Sequence, residues 1–300
     1  MTLLDSPTLD QAHGTGTTRL RLVRAEIMKI RTTNTWRLLL ISFAVFTALA
    51  LTSNGFSHHF QLYPQHDLPG RAQALAQAAQ ARTPAGVAAI AASMMTSGQF
   101  LGVLFVMLLG ILVVTNEFAH QTASATFTTV PRRAAVILAK LTAAACFGAL
   151  FWLVATVING VITPFYLYSQ HISTTPLTGW TVLRSVLLNL LAFVMWAVFG
   201  LGLGTLIRSQ IGSVVTGLAV YLGGLAVVEL IFNLIYHFYR QGWLLGAPVI
   251  APAVASNVMI TPGPAFPHAP PQWAGLMIMA GYTLALTAAG IALIRRVDIT

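Results

Sequence analysis

Long apolar stretches alternate with short polar ones along most of this chain. The apolar runs cover 36–52, about 100–115 (extendable back to Val87), 136–162, 182–207, 211–236 and 273–294. Each is long enough, as a helix, to cross a hydrocarbon core of about 30 Å. Inside lipid every backbone polar group needs an internal partner, so a spanning segment is a helix or part of a closed barrel. Barrel strands would alternate apolar and polar positions over about ten residues, and these runs do not alternate. The pattern predicts an all-α membrane protein with about six transmembrane helices.

The polar stretches carry their own signals. Residues 1–17 are polar, with Gly14 and Gly16, and read as a disordered cytoplasmic tail. Over 18–34, Leu20, Val23, Ile27 and Ile30 recur at helical spacing among Arg19, Arg21, Arg24, Lys29 and Arg31. That pattern predicts a basic amphipathic helix lying on a membrane surface. The segment 54–97 reads as the largest soluble loop; its Ala- and Gln-rich part, 71–82, favours helix, and Pro84 and Gly86 interrupt it. His58, His59, His66 and Asp67 fall there without any fixed metal-ligand spacing. Between the fourth and fifth runs only Arg208, Ser209 and Gln210 remain, which makes a tight hairpin. The glycines 98, 102, 200, 202, 204, 212 and 217 flank the helix starts and this hairpin, where small residues let backbones approach. The segment 243–260 is apolar but contains Pro248 and Pro252 and precedes five further prolines, so it reads as short helices within a second outside loop, 237–272, and not as a seventh span.

Composition sharpens this picture. Hydrophobic residues make up 56% of the 300 and charged residues only 8%, too few to cover a soluble surface. The net charge of +9 suggests nucleic acid at first sight, but the basic residues sit at the ends of apolar runs, so no nucleic-acid partner is expected. With the N-terminus inside, the inner segments hold Arg19, Arg21, Arg24, Lys29, Arg31, Arg37, Arg132, Arg133, Lys140, Arg208, Arg295 and Arg296, twelve of the sixteen basic residues. The outer segments keep Arg71, Arg82, Arg184 and Arg240. That bias predicts both termini in the cytoplasm, with 297–300 a short inner tail. Ala48-Leu49-Ala50 imitates a signal-peptidase site, but the polar tail before it is too long, and an uncleaved first span is expected. The lone cysteine, Cys146, is expected to be a small buried residue of the third span.

The connection 117–133 carries the most information. Glu117 stands where the second span leaves the membrane and is expected to begin a cytoplasmic helix, where a carboxylate complements the helix dipole. Phe118, Ala125, Phe127 and Val130 give that helix an apolar side, Pro131 ends it, and Arg132 and Arg133 mark the return to the lipid surface. A linker of about twenty residues with apolar side chains facing water suggests a docking surface. Nothing in the chain supplies chemistry for its own reaction. No glycine-rich loop leads into Lys29 or Lys140, the only lysines, so the chain cannot hold ATP in the P-loop manner. No nucleophile stands beside a base, and no catalytic or metal site is expected. Glu229 is the single acid at membrane depth, in the fifth run near its outer end, where a solvated crevice or a transport role both suit it.

Glu117, Thr122, Thr126, Pro131, Arg132, Arg133, Ala139 and Lys140 together form a Glu-x4-Thr…Pro-x-Arg…Lys pattern after the second span. In this pattern and in layout, over residues 18–296, the chain resembles the ABC-2 type permeases, the membrane subunits of small bacterial ABC exporters. The resemblance implies that 18–34 is an elbow helix and that Glu117, Phe118, Thr122, Thr126, Phe127, Pro131, Arg132 and Arg133 form a coupling helix seated on a separate P-loop ATPase. It implies two copies of that ATPase, which bind ATP and magnesium, and a second permease copy or a related permease. It implies a bacterial inner membrane and an amphipathic cargo: a drug, a peptide antibiotic or a lipid. Phe43, Phe46, Phe100, Phe105, Phe193, Trp196 and Glu229 are then candidate walls of a central cavity. Two other readings stay open. A membrane sensor or assembly scaffold would dock a cytoplasmic partner by the same loop, and an ion-coupled secondary transporter would need paired intramembrane charges.

Overall fold

A computed structural model describes residues 15–64, 71–119, 133–266 and 268–296. Among them there is no strand, and six helices are long and apolar enough to cross a membrane. The elements are α1 (Thr15–Thr32), α2 (Thr35–Leu62), α3 (Arg71–Ala81), α4 (Pro84–Met95), α5 (Gln99–Ala119), α6 (Arg133–Ser169), α7 (Trp180–Ile207), α8 (Gln210–Leu218), α9 (Gly224–Tyr239), α10 (Pro252–Ile260) and α11 (Gln272–Arg296). The six long apolar segments are α2, α4 with α5, α6, α7, α8 with α9, and α11. Residues 1–14 and 297–300 of the expected tails lie outside the described residues.

Two spans are broken helices. Between α4 and α5 the chain bends at Thr96–Gly98, and Gly98 takes a positive φ of 82°. A Cβ there would lie 2.9 Å from Thr47 Oγ1 and 3.0 Å from Thr47 Cα, so only glycine lets α2 approach. The bend frees backbone carbonyls, and the buried Asn159 of α6 donates its Nδ2 to Met95 O (3.1 Å) and Ser97 O (3.0 Å). The fifth span is interrupted by a π-helical turn, Ala219–Gly223. Its buried Tyr221 donates to the Phe100 carbonyl oxygen, tying this span to the start of α5.

The core lies where α5 crosses α7. A Cβ at Gly110 would fall on the Ala197 carbonyl oxygen, and one at Gly200 on that of Met107. Gly110, Gly200 and also Gly102 therefore serve contacts inside one chain. Phe43, Phe193 and Trp196 are fully buried beside them, with Phe43 and Phe193 ring centroids 5.7 Å apart. The hairpin 208–210 is as tight as its length predicts: Arg208 adopts a left-handed turn, and the Ser209 hydroxyl accepts from Gly212 N. No helix long enough to span forms over 243–260. Two 3-10 turns lead into α10, which buries eight of its nine residues against α7 and α11 and exposes Asn257.

Several expectations need correction. Most of the described residues of 54–97 are helical, beyond the 71–82 stretch where helix is expected. α2 stays helical to Leu62, and α4 forms the first half of the second long apolar segment, burying Ile90, Ala91, Ala92 and Met94. Pro84 starts α4 at its first turn after the Thr83 cap, where its missing N–H costs nothing. Cys146 is exposed on the flank of α6, one position off that helix's buried face at Ala143, Ala144 and Phe147.

Candidate functional site

Three helices meet at the end of the bundle where α5 stops and α6 begins. On α1, Val23, Glu26, Ile27 and Ile30 share one face at helical spacing, and that face packs on α6. Glu26 and Ile30 are buried there. Lys29 stands one turn from Glu26. Glu117 lies in the last turn of α5, not at the start of a new helix, so it sits at the end of a helix dipole that repels a carboxylate. Lys140 lies two turns into α6.

These four side chains form one network. Lys140 Nζ donates to Glu117 Oε1 at 2.6 Å and to Glu26 Oε2 at 2.7 Å. Lys29 Nζ donates to Glu117 Oε1 and Glu26 Oε1, both at 2.9 Å. The side chains of Lys140 and Glu26 are 6% and 7% exposed, that of Glu117 13%, and that of Lys29 48%. The chain has two lysines and three glutamates, so both lysines and two of the three glutamates converge on this point. Two carboxylates facing two ammonium groups balance, which is the condition for burying charge at all. Burial alone would lower the Lys29 pKa; hydrogen bonds from Lys29 to Glu117 and Glu26, with their charges, outweigh it and raise the value above the ordinary lysine range. A small cavity of about 110 Å³ opens beside the network, lined in part by Trp36, Leu112 and Asn116.

Phe118 follows Glu117 and packs on the core, with the Arg208 guanidinium 5.9 Å from its ring centroid. The α7–α8 hairpin thereby reaches the same end of the bundle. Of the other sequence-predicted coupling residues, Thr122, Thr126, Phe127, Pro131 and Arg132 lie outside the described residues, and Arg133 is the first residue of α6. The segment 120–132 leaves α5 two residues after Glu117 and Lys140 lies a few residues beyond its return, so the network clamps the root of that segment.

The candidate cavity walls divide. Phe43, Phe193 and Trp196 are corrected to core residues: no face of these rings is left to line a cavity. Phe105 is half-buried and stacks with Phe46, whose ring is exposed on the flank, centroids 5.7 Å apart. Phe100 lines a cavity of about 830 Å³ at the opposite end of the bundle. Glu229 is exposed and lines a separate crevice of about 280 Å³. His58 bridges Gln61 (3.2 Å) and Ser93 (3.2 Å), and His59 meets Gln170 at 2.8 Å, so both make hydrogen bonds to neighbouring side chains.

Sequence reasoning named Glu117, Lys29 and Lys140 but missed Glu26. The available signal was an acid in the middle of the apolar stripe of an otherwise basic helix, three residues before a lysine. No family model matches the chain, and no curated protein matches it.

Proposed function

We propose that this chain is the membrane permease subunit of an ATP-driven exporter of the ABC-2 type. In this reading it is a multi-pass protein of the bacterial plasma membrane with both termini inside, and α1 is an elbow helix on the inner face. It works with a second permease copy and two copies of a separate P-loop ATPase, which hold ATP and magnesium. Its cargo is an amphipathic drug, peptide antibiotic or lipid. The chain itself performs no catalysis.

One observation carries the reading. Glu117 and Lys140, the first and last residues of the permease-like pattern, are joined by an ion pair at 2.6 Å, and Glu26 of α1 is bound to the same ammonium group. A force applied to the segment 120–132 would therefore reach α1, α5 and α6 together. A loose docking loop on a scaffold has no need of such a stiff root. The ion-coupled reading loses ground for a related reason: four of the chain's five lysine and glutamate side chains are committed to one another at one end.

The test is transport and ATP hydrolysis measured together in proteoliposomes holding permease and ATPase. In the Glu117→Gln, Arg132→Ala double variant, transport is expected to fall more than about tenfold while hydrolysis continues or stops responding to cargo. If both rates stay at wild-type values, the segment is not the transmission and the reading fails.

A further inference from the structure

The end opposite the charge network has a different chemistry. Its cavity of about 830 Å³ is walled by α2, α3, α4, the start of α5 and the end of α10. That volume lies within the range of small-molecule sites. Asn54, His58, Gln61, Gln77, Gln80 and Asn257 supply its polar wall, and among the described residues no Asp, Glu, Lys or Arg lines it. A side-chain amide carries donors and an acceptor on one planar group, which matches the paired donor and acceptor of a hydroxyl and supplies no charge to neutralise a phosphate. Part of the wall is fixed in place. Gln99 donates to Ser256 Oγ at 2.6 Å, Trp196 donates to the same oxygen at 3.1 Å, and Asn54 donates to Ser97 Oγ at 2.7 Å. Part is free: among the described residues, the side-chain amides of Gln77, Gln80 and Asn257 make no hydrogen bond.

Asn257 is the exposed residue of an otherwise buried α10, and it lines two cavities at once. Its other side faces the crevice with Glu229, Asn233 and Phe266. One side chain thus stands between an amide-rich, hydroxyl-matching cavity and a single carboxylate. A carboxylate accepts hydrogen bonds and favours a cation, and a charge-assisted bond is about twice as strong as a neutral one. A metal ion is a poor occupant, because no group of three His, Cys, Asp or Glu exists among the described residues.

We propose that this end of the chain binds a hydroxyl-rich amine of the amino-sugar class, its hydroxyls on the amides of Gln77, Gln80 and Asn257 and its ammonium on Glu229. This binding is separate from the amphipathic cargo of the transport reading and does not rest on it, and it is measured without any ATPase.

The probes are trehalose and 6-amino-6-deoxytrehalose, which differ by one amine. The full chain carries Cys146→Ala and the reporter Ala89→Cys, since Ala89 lines the cavity. It is held in phosphatidylcholine nanodiscs and treated with a membrane-impermeant maleimide. Both sugars are expected to slow labelling, the amine at about tenfold lower concentration. Glu229→Gln should bring the two sugars to about the same protecting concentration. Gln77→Ala with Gln80→Ala should weaken protection by both sugars. These positions are exposed, so the variants should fold. Absence of protection by either sugar overturns the site, and an amine advantage that survives Glu229→Gln overturns the placement of the ammonium. Either result leaves the coupling experiment in proteoliposomes untouched.

Discussion

The two ends of the bundle handle polarity in opposite ways. At one end, four charged groups bind one another within 2.9 Å, and three of them are nearly buried. At the other end, amides predominate among the described polar residues around a cavity of about 830 Å³, and several of them are unpaired. Charges that satisfy each other hold helices together and leave little for a ligand. Amides that lack partners hold nothing together and are open to one. The first arrangement suits transmission between helices, and the second suits recognition.

The sharpest way to break this contrast is to unbalance the charged end. Lys140→Met leaves the Glu26 carboxylate buried beside an apolar side chain. Removing one partner of a buried ion pair costs about 3–5 kcal/mol. A large drop in the thermal unfolding midpoint in detergent is expected. Adding Glu26→Gln and Glu117→Gln should recover much of it, because the stranded charges are then gone. A single variant as stable as wild type would mean that water reaches these groups and that both ends are wet alike.

Much of this contrast was hidden in the sequence for identifiable reasons. The six long helices were legible because their apolar runs are long and hold at most one charged residue each. Their ends were not. α2 continues through Asn54, His58 and His59, polar residues that find partners on or beside neighbouring helices, and a helix so supported need not stop where hydropathy falls. Pro84 reads as a breaker until its place at a helix start is known. The aromatic wall was misread at Phe43, Phe193 and Trp196 because ring size says nothing about which face of a helix a residue occupies. At the charged end the opposite held. With only two lysines and three glutamates available, pairing of Glu117 with a basic group was foreseeable, yet Glu26 was masked by the arginines around it.

A smaller effect separates the fixed wall of the neutral end from its free wall. Gln99 is buried and bonded to Ser256, while Gln80 is exposed with its amide free. Gln99→Ala should cost about 1–3 kcal/mol through the lost bond and the volume left behind. Gln80→Ala should stay within about 0.5 kcal/mol of wild type. Equal losses in unfolding midpoint for the two variants would erase the distinction between scaffold and ligand groups.

The smallest effect tests the exposed corner of the charged end. Lys29 faces the same two carboxylates as Lys140, but its side chain is 48% exposed. Solvent screens it, so Lys29→Met should cost under about 1 kcal/mol despite its two hydrogen bonds of 2.9 Å. Its pH dependence has a definite sign. Burial lowers the Lys29 pKa, and the pairing with Glu117 and Glu26 more than reverses that, leaving it raised. A raised lysine binds its proton more tightly in the folded chain than in the unfolded one, whose value is near about 10.4. The stabilisation is therefore complete at neutral pH and is lost as pH climbs through the raised folded value. The gap in unfolding midpoint between wild type and Lys29→Met should be constant from about pH 6 to pH 9 and close at strongly alkaline pH. A gap that persists there would assign the role of Lys29 to its aliphatic stem lying along α1, and the network would then rest on Lys140 as its one cation that matters.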